Sequence, residues 1–523
     1  MRIFFLMRHL AYLRVYETVI SSLLREGHFV EVGFMPLTNK RFDTRKADEM
    51  VTSSQGRMSY SFLSPLPGDF WSSLKDFSRT AIDYLRYFAP EYETAHKLRE
   101  RMSRRIPALI KFLIHILSLN RLIRHRIFPL LQNFLSKFES AFPTSGEVLK
   151  LWSEKKPDIV LFTPLLDAGM GMIDYAKGAA HLGLKTALCV ASWDNLTNKG
   201  LIQADVDRVI VWNKFQKDEA VRFHHVPAER IRLTGAQVFD EWFERKPKMS
   251  KKDFCAKVGV PDGFIILYLC SSVFIAKTET SFIKKWLQSV RQSEAEDLRT
   301  AGIVIRPHPA NVKQWVNADF SGFGNTVIWP AYGAVPIFED TKDDYFHSLH
   351  YADVAVGLNT SAMIEAGILG KTVLTVEDEE FKDTQGGTLH YHYLVKEGLL
   401  QVARDLDTHR DQLVRALTEN KSPERNRDFI RHFIRPFGNN VTGTSRFIAE
   451  MTELYNDPRT KRAKERRFCV LFHQLFLLPF AAFLIIVRRI SLFASRSSKN
   501  RKKHGTRYRT DTPGGPIEWD GGS

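Results

Sequence analysis

A short aliphatic run, Val354–Val356, stops at Asn359-Thr360-Ser361 and restarts around one carboxylate, Glu365. Asn, Thr and Ser favour helix starts, so the spacing predicts a buried strand, a turn, a short helix over 362–369 and a stop at Gly370. A further strand follows at Val373–Val376. A helix start offers unpaired N–H groups and the positive end of a dipole, which suits a phosphate. Thr360 and Ser361 would add hydroxyl donors, and Glu365, one turn in, would accept hydrogen bonds from ribose hydroxyls. Ordinary capping beside a solvated glutamate fits the same residues.

Other reactive types also fall at strand ends. Arg306 and His308 alternate with Pro307 and Pro309 after "IVI", and the prolines end the strand and stiffen its exit. A guanidinium and an imidazole on one face suit a phosphate or a leaving group, and a structural histidine is the plain alternative. Ser271 and Ser272 follow the run "FIILYLC" and offer hydroxyls and amides, a weak signal alone. In "SWDNLTNKG", Asp194 is a candidate general base or a turn residue, with Asn195 and Lys199 beside it. Arg8 and His9 follow the first strand, and His9 is a second base candidate because an imidazole titrates near neutrality. Asp383 and Gln385 in "FKDTQGG" are placed to bond a sugar. His390 and His392 have strand spacing but no acidic or cysteine partner for a metal.

The elements that would position these residues alternate between β and α. "RIFFLM", a helix with Leu13, Tyr16, Ile20 and Leu23 on one face, and "FVEVGF" open a β-α-β unit. Helical, aromatic and basic sequence fills about 67–143, read either as core helices or as an insert facing a membrane or an acceptor. β/α alternation resumes to about 244 and, after the charged stretch "ERKPKMSKKD", repeats from "FIILYLCSS". Parallel strands with right-handed crossovers would gather Arg8-His9, Asp167, Asp194-Asn195, Ser271-Ser272, Arg306–His308 and Asn359–Ser361 at strand C-terminal ends, along an interdomain cleft.

The chain has 523 residues, 44% of them hydrophobic, enough for two or three cores. Four scattered cysteines point to a reducing compartment rather than a disulfide framework. The net charge of +16 is local. Between Arg459 and Thr510 there are fifteen Lys/Arg and one acid, so this segment carries +14 and the rest is nearly neutral. Within it, Phe468–Val487 is a twenty-residue apolar run flanked by cations at both ends, which points to anionic lipid rather than nucleic acid. The expectation is a cytoplasmic protein held at the inner face of the cell membrane, the segment 468–487 lying in the leaflet.

The two β/α halves with "RPHP" and "NTSAMIEAGILGKTVLTV" resemble the GT-B glycosyltransferase superfamily, a fold that also includes UDP-N-acetylglucosamine 2-epimerases and CDP-glycerol glycerophosphotransferases. More narrowly, "LMRHLAYLRVYE", "SWDNLTNKG", "VWNKFQKDEAVRFHHVPAERIRLTGAQVFDEWF" and "RPHPAN" are similar to bacterial surface-carbohydrate biosynthesis proteins, in blocks across about residues 1–455. The resemblance implies an α/β fold of two Rossmann-like domains facing a cleft. They are an acceptor domain (1–246) with a helical insert, a donor domain (254–455), and a tail (456–523). It also implies a nucleotide-sugar substrate, a glycan or lipid-linked acceptor, no cofactor and no metal. Donor contacts would fall on Ser271, Ser272, Arg306, His308, Thr360, Ser361, Glu365, Asp383 and Gln385. Acceptor contacts would fall on Arg8, Asn195 and Lys199, and proton transfer on Asp194 or His9, with His308 at the diphosphate.

Two departures count against the sister chemistries. Asn359-Thr360-Ser361 stands where epimerases have a glycine-rich turn, and no HGxxxK-type block of glycerophosphotransferases is evident. Glycosyl transfer therefore leads, ahead of polyol-phosphate transfer, epimerisation and a non-catalytic membrane-bound scaffold.

Overall fold

The computed structural model describes residues 1–36, 43–166, 171–331, 333–418 and 426–458. The tail expectations, including the segment 468–487, lie outside the described residues.

Two parallel sheets organise the chain. The first contains β1 (Arg2–Met7), β2 (Phe29–Phe34), β3 (Met58–Phe62), β4 (Ile159–Thr163), β5 (Lys185–Cys189), β6 (Arg208–Val211) and β7 (Ile231–Leu233), in the order β3-β2-β1-β4-β5-β6-β7. The second contains β8 (Ile265–Leu269), β9 (Gly302–Arg306), β10 (Thr326–Ile328), β11 (Val354–Gly357), β12 (Thr372–Val376) and β13 (Leu400–Ala403), in the order β10-β9-β8-β11-β12-β13. Every neighbouring pair is parallel. Both faces of such sheets are covered by helices, so β4 (IVLFT) and β8 (IILYL) are buried at every position. The two Rossmann-like domains expected of the fold are present. The edge strands β3 and β13 extend the pattern beyond what the sequence reading delineated.

In each sheet the strand order reverses once, between β1 and β4 and between β8 and β11. Crevices open at such switch points beyond the strand C-terminal ends. The exits there are Arg8-His9 after β1, Ser271-Ser272 after β8 and Asn359–Ser361 after β11.

The helical insert lies between β3 and β4 and includes the helices Ser72–Arg86, His96–Ser103, Ala108–Leu119 and Phe128–Ala141. It is tied to the first domain by a buried guanidinium. Arg79 donates to Glu139 at 2.7 Å and to Asp174 at 2.9 Å, so its charge is met by two carboxylates. The last described helix, Gly443–Asn456, leaves the second domain and returns to the first. Its Phe447 and Met451 join the core formed by Ile3, Phe5 and Tyr16. The donor unit drawn at 254–455 in the sequence is thus interrupted in space, because an apolar helical face completes the other domain's core.

The domains are pinned together beside the cleft. Lys342, on the helix Glu339–Tyr351 and buried, donates to Glu17 of the helix Leu13–Arg25 at 2.9 Å and to Glu241 at 3.1 Å. The linker is anchored to the same helix through Arg245–Asp343 at 2.6 Å and Lys248–Asp343 at 2.7 Å.

Candidate functional site

β9 delivers Arg306 at its last position, on the side of the strand ends, where the residue is only 5% exposed. Its Nη1 donates weakly to Ser348 Oγ at 3.4 Å, and its central carbon, Cζ, lies 4.6 Å from the centre of the Tyr345 ring. Its Nη2 is buried with no hydrogen-bond partner among the described residues. A buried donor of a charged group without an acceptor is costly and calls for an explanation. Burial pulls this guanidinium below its ordinary pKa but leaves it a cation.

Two residues on, His308 Nδ1 accepts the Ala310 backbone N–H at 3.1 Å. A neutral ring that accepts at Nδ1 carries its proton on Nε2. Burial, with the charge of Arg14 added, pulls His308 down to about 4, so it is a neutral hydrogen-bond donor at pH 7. Glu365, on the short helix Ala362–Ile368, accepts from the Tyr345 hydroxyl. Burial raises its carboxyl above the ordinary value, and Arg14, Tyr345 and Arg306 offset part of that rise. Arg14 belongs to the first domain, on the helix after β1, and its charge acts on His308, Tyr345 and Glu365 across the cleft. Three cationic or donor groups and one carboxylate thus converge from both domains.

The remaining donor candidates are placed differently. Ser271 is fully buried, and its N–H donates to Glu279 at 2.7 Å, so it fastens the loop after β8. Glu279 is itself pushed up to about 7 by burial. The Ser272 carbonyl accepts the Ile275 and Ala276 N–H groups and opens a turn. Gln385 is 0% exposed. Its Nε2 faces the carbonyls of Leu358 and Val376, and its Oε1 accepts the Asp378 N–H at 3.3 Å. The sugar contact expected of Gln385 gives way to this role as a staple between two strand exits. Asp383 lines a separate cavity of about 730 Å³ with Glu377, Glu379, Lys382 and Arg404. Neither Thr360, buried, nor Ser361, exposed, caps the helix: the Ser361 side chain makes no cap hydrogen bond. Asn359 is taken up by the Thr384 carbonyl at 2.7 Å.

On the acceptor side, Asn195 is buried and accepts the Ala191 and Ser192 N–H groups, both at 3.1 Å, so it shapes the loop instead of facing an acceptor. Asp194 accepts from Ser192 Oγ at 2.6 Å and from Asn198 Nδ2 at 3.3 Å. Burial opposes its ionisation, but the charges of His390 and Lys199 and these two bonds outweigh burial and hold the carboxyl below its ordinary value. The Lys199 carbonyl receives Arg86 at 2.8 Å and Tyr87 at 2.9 Å. Arg8 and His9 leave β1 at the switch point, and the His9 ring lies 4.8 Å from Tyr12.

His390 and His392 belong to a helix, Leu389–Lys396, and not to a strand. His390 is buried edge-on to Trp193 at 4.6 Å, whereas His392 is exposed and bonds the Gly386 carbonyl at 2.7 Å, so the two rings do not converge. Arg14 and Tyr345 were missed as cleft residues in the sequence reading. Arg14 carried a usable signal, a cation in the first turn after a central strand, while Tyr345 carried none.

No known protein-family profile and no curated protein matches the chain. Solved structures do resemble it. The UDP-GlcNAc 2-epimerase from Neisseria meningitidis bound to UDP-GlcNAc is 14% identical, with 86% of this chain and 99% of that one covered and a TM-score of 0.49. The UDP-GlcNAc 2-epimerase from Methanocaldococcus jannaschii is 12% identical over 86% and 99%, with a TM-score of 0.48. WaaG, a glycosyltransferase involved in lipopolysaccharide biosynthesis, is 12% identical over 86% and 99%, with a TM-score of 0.43. Likeness at this level is one of overall arrangement, and no activity passes from these proteins to this chain.

Proposed function

We propose that the chain is a glycosyltransferase that holds a nucleotide-diphosphate sugar in the cleft and passes the sugar to a hydroxyl acceptor. The observation that carries the reading is the uncommitted, buried Arg306 Nη2 at the end of β9, two residues before a neutral His308 that keeps its proton on Nε2. These donors suit a diphosphate without a metal, and Arg14 closes the charge from the other domain. Glu365 takes the ribose hydroxyls, exchanging the Tyr345 hydroxyl for them or sharing it.

In the reaction the acceptor oxygen bonds the anomeric carbon while the bond from that carbon to the diphosphate oxygen breaks. The nucleoside diphosphate leaves with the electron pair, and its growing charge meets Arg306, His308 and Arg14. The acceptor proton goes to His9, at the exit of the central strand β1. Asp194 is the weaker candidate: its carboxylate already serves Ser192 and Asn198, and its affinity for a proton is depressed.

The test is a thermal-shift screen against UDP-, GDP-, CDP- and dTDP-sugars, since a ligand of the folded state raises the melting temperature by mass action. Product analysis with the stabilising donor follows. A new glycosidic bond supports the reading. A phosphodiester product, an epimerised donor without acceptor, or no stabilisation by any nucleotide sugar refutes it.

A further inference from the structure

The helix Ala108–Leu119 is barely packed against the rest of the described residues. Of its twelve residues, ALIKFLIHILSL, only Ile114 is buried. Leu109, Phe112, Ile116 and Leu119 project into solvent, joined by Leu130 and Phe134 of the neighbouring helix Phe128–Ala141. Leu119 and Leu122, at the tip between the two helices, are 74% and 73% exposed. An apolar surface of this kind, carried by two successive helices, marks a contact site. At about 1.5 Å per residue the helix is roughly 18 Å long, too short to cross a bilayer core of about 30 Å, and no described helix is long and apolar enough to do so.

Charge decides between the occupants. From Arg104 to Phe138 the sequence has seven Lys/Arg and no Asp or Glu. Arg104 and Arg124 pair with Glu100 and Glu93 outside this stretch, and no ion pair engages Lys111, Arg121, Arg126 or Lys137 among the described residues. A second copy of the hairpin would bring the same cations against themselves. The chain's own apolar run 468–487 is bracketed by Lys461–Arg467 and Arg488-Arg489, again like against like. Anionic headgroups satisfy the cations while acyl chains receive the leucine, isoleucine and phenylalanine side chains.

We infer that the helical hairpin 108–135 docks in the interface of an anionic lipid bilayer, independently of the tail. Its position fits an enzyme that works beside a membrane. The preceding helix, His96–Ser103, bonds the acceptor-side loop through Arg101 and the Asn198 carbonyl, and the same guanidinium lies 4.6 Å over Phe274 of the second domain. A lipid surface on the hairpin would therefore lie near the cleft mouth.

The experiment is hydrogen–deuterium exchange on the full-length chain with vesicles of phosphatidylcholine, plain or with about 30% phosphatidylglycerol. Amides of 106–138 are expected to exchange at least about fivefold more slowly with anionic vesicles than with neutral ones or none. The variant L109Q/F112Q/I116Q/L119Q should lose that protection; since the four side chains are exposed, its thermal melt should match wild type. Three results would overturn the inference. In one, the chain binds vesicles while 106–138 is unchanged, which assigns binding to another segment. In another, protection rises with protein concentration in the absence of lipid, which assigns the face to a second copy. In the third, 106–138 is already slow without vesicles and is unaffected by lipid, which assigns the face to the chain's own tail.

Discussion

Replacing Arg306 by methionine should move stability and ligand affinity in opposite directions. In the free protein the guanidinium has one long hydrogen bond, to Ser348 at 3.4 Å, and one face on Tyr345. Together these contribute about 1–2 kcal/mol. Against this stands the cost of burying Nη2 without a partner, about 1–3 kcal/mol for such a group. Methionine keeps the apolar stem and removes the charge; it stops short of the guanidinium's place over the Tyr345 ring, a loss already counted in that contact. The free variant should therefore melt at or slightly above the wild-type temperature.

Binding should show the reverse. A charge-assisted bond to a diphosphate is worth about 1.5–3 kcal/mol, so the dissociation constant for the nucleoside diphosphate should rise roughly 10- to 150-fold. Calorimetric titration of both proteins with the diphosphate, beside ligand-free melts, measures both quantities. An affinity within about twofold of wild type, less than 0.5 kcal/mol of change, would refute the diphosphate role. A ligand-free variant destabilised by more than about 2 kcal/mol would show that Arg306 is a structural ion and not a waiting one.

Three further outcomes are expected. Glu365→Ala should weaken donor binding by about 1–3 kcal/mol and abolish any preference for ribose over 2′-deoxyribose nucleotides; calorimetry showing both unchanged would remove Glu365 from the ribose. His9→Ala should lower turnover by roughly 10²-fold or more with nucleotide affinity intact, and if Asp194→Asn does this instead, the base is Asp194. Glu219 is buried in the helix Lys214–His224, and burial, offset in part by Tyr393 and Arg86, pushes its carboxyl up to about 8. Because this lies above the unfolded value of about 4.3, the folded state holds the extra proton: the stabilisation is complete below about pH 4, declines above it and is gone past the folded value. Glu219→Gln, which stays neutral, should match wild type in urea melts at about pH 4 and below, exceed it increasingly up to about pH 8, and hold a constant excess beyond; parallel stability curves would contradict the assignment.

Much of this molecule is determined locally. Strands buried on both faces are continuous aliphatic runs, so β1, β4, β8 and β11 stand out between glycine, proline and small polar residues. Gly370 ends its helix with φ +72°, where a left-handed backbone favours glycine. The Pro-flanked Arg306 and His308 mark a strand exit for the same local reason. The edge strands β3 (MSYSF) and β13 (LQVA) are short, mixed and partly exposed, so no apolar run signals them. In "LHYHYL" the alternation of imidazole and aromatic rings mimics a strand, but the segment is a helix whose buried ring packs on Trp193 of the other domain. Propensity yields here to tertiary contact.

The site divides along the same line. Ser271, Gln385 and Asn195 are of types that bind ligands equally well or fasten loops, and only depth distinguishes the two uses: in the interior each is consumed by backbone groups that would otherwise go unpaired. Arg14 and Tyr345 are separated in sequence by more than half the chain and act on one another only because the domains close face to face. Sequence patterns report which residues can be buried or can carry charge, since these are properties of side chains and near neighbours. Which charged group is left without a partner depends on every atom around it, so the unpaired nitrogen of Arg306 became visible only once the fold had placed the rest.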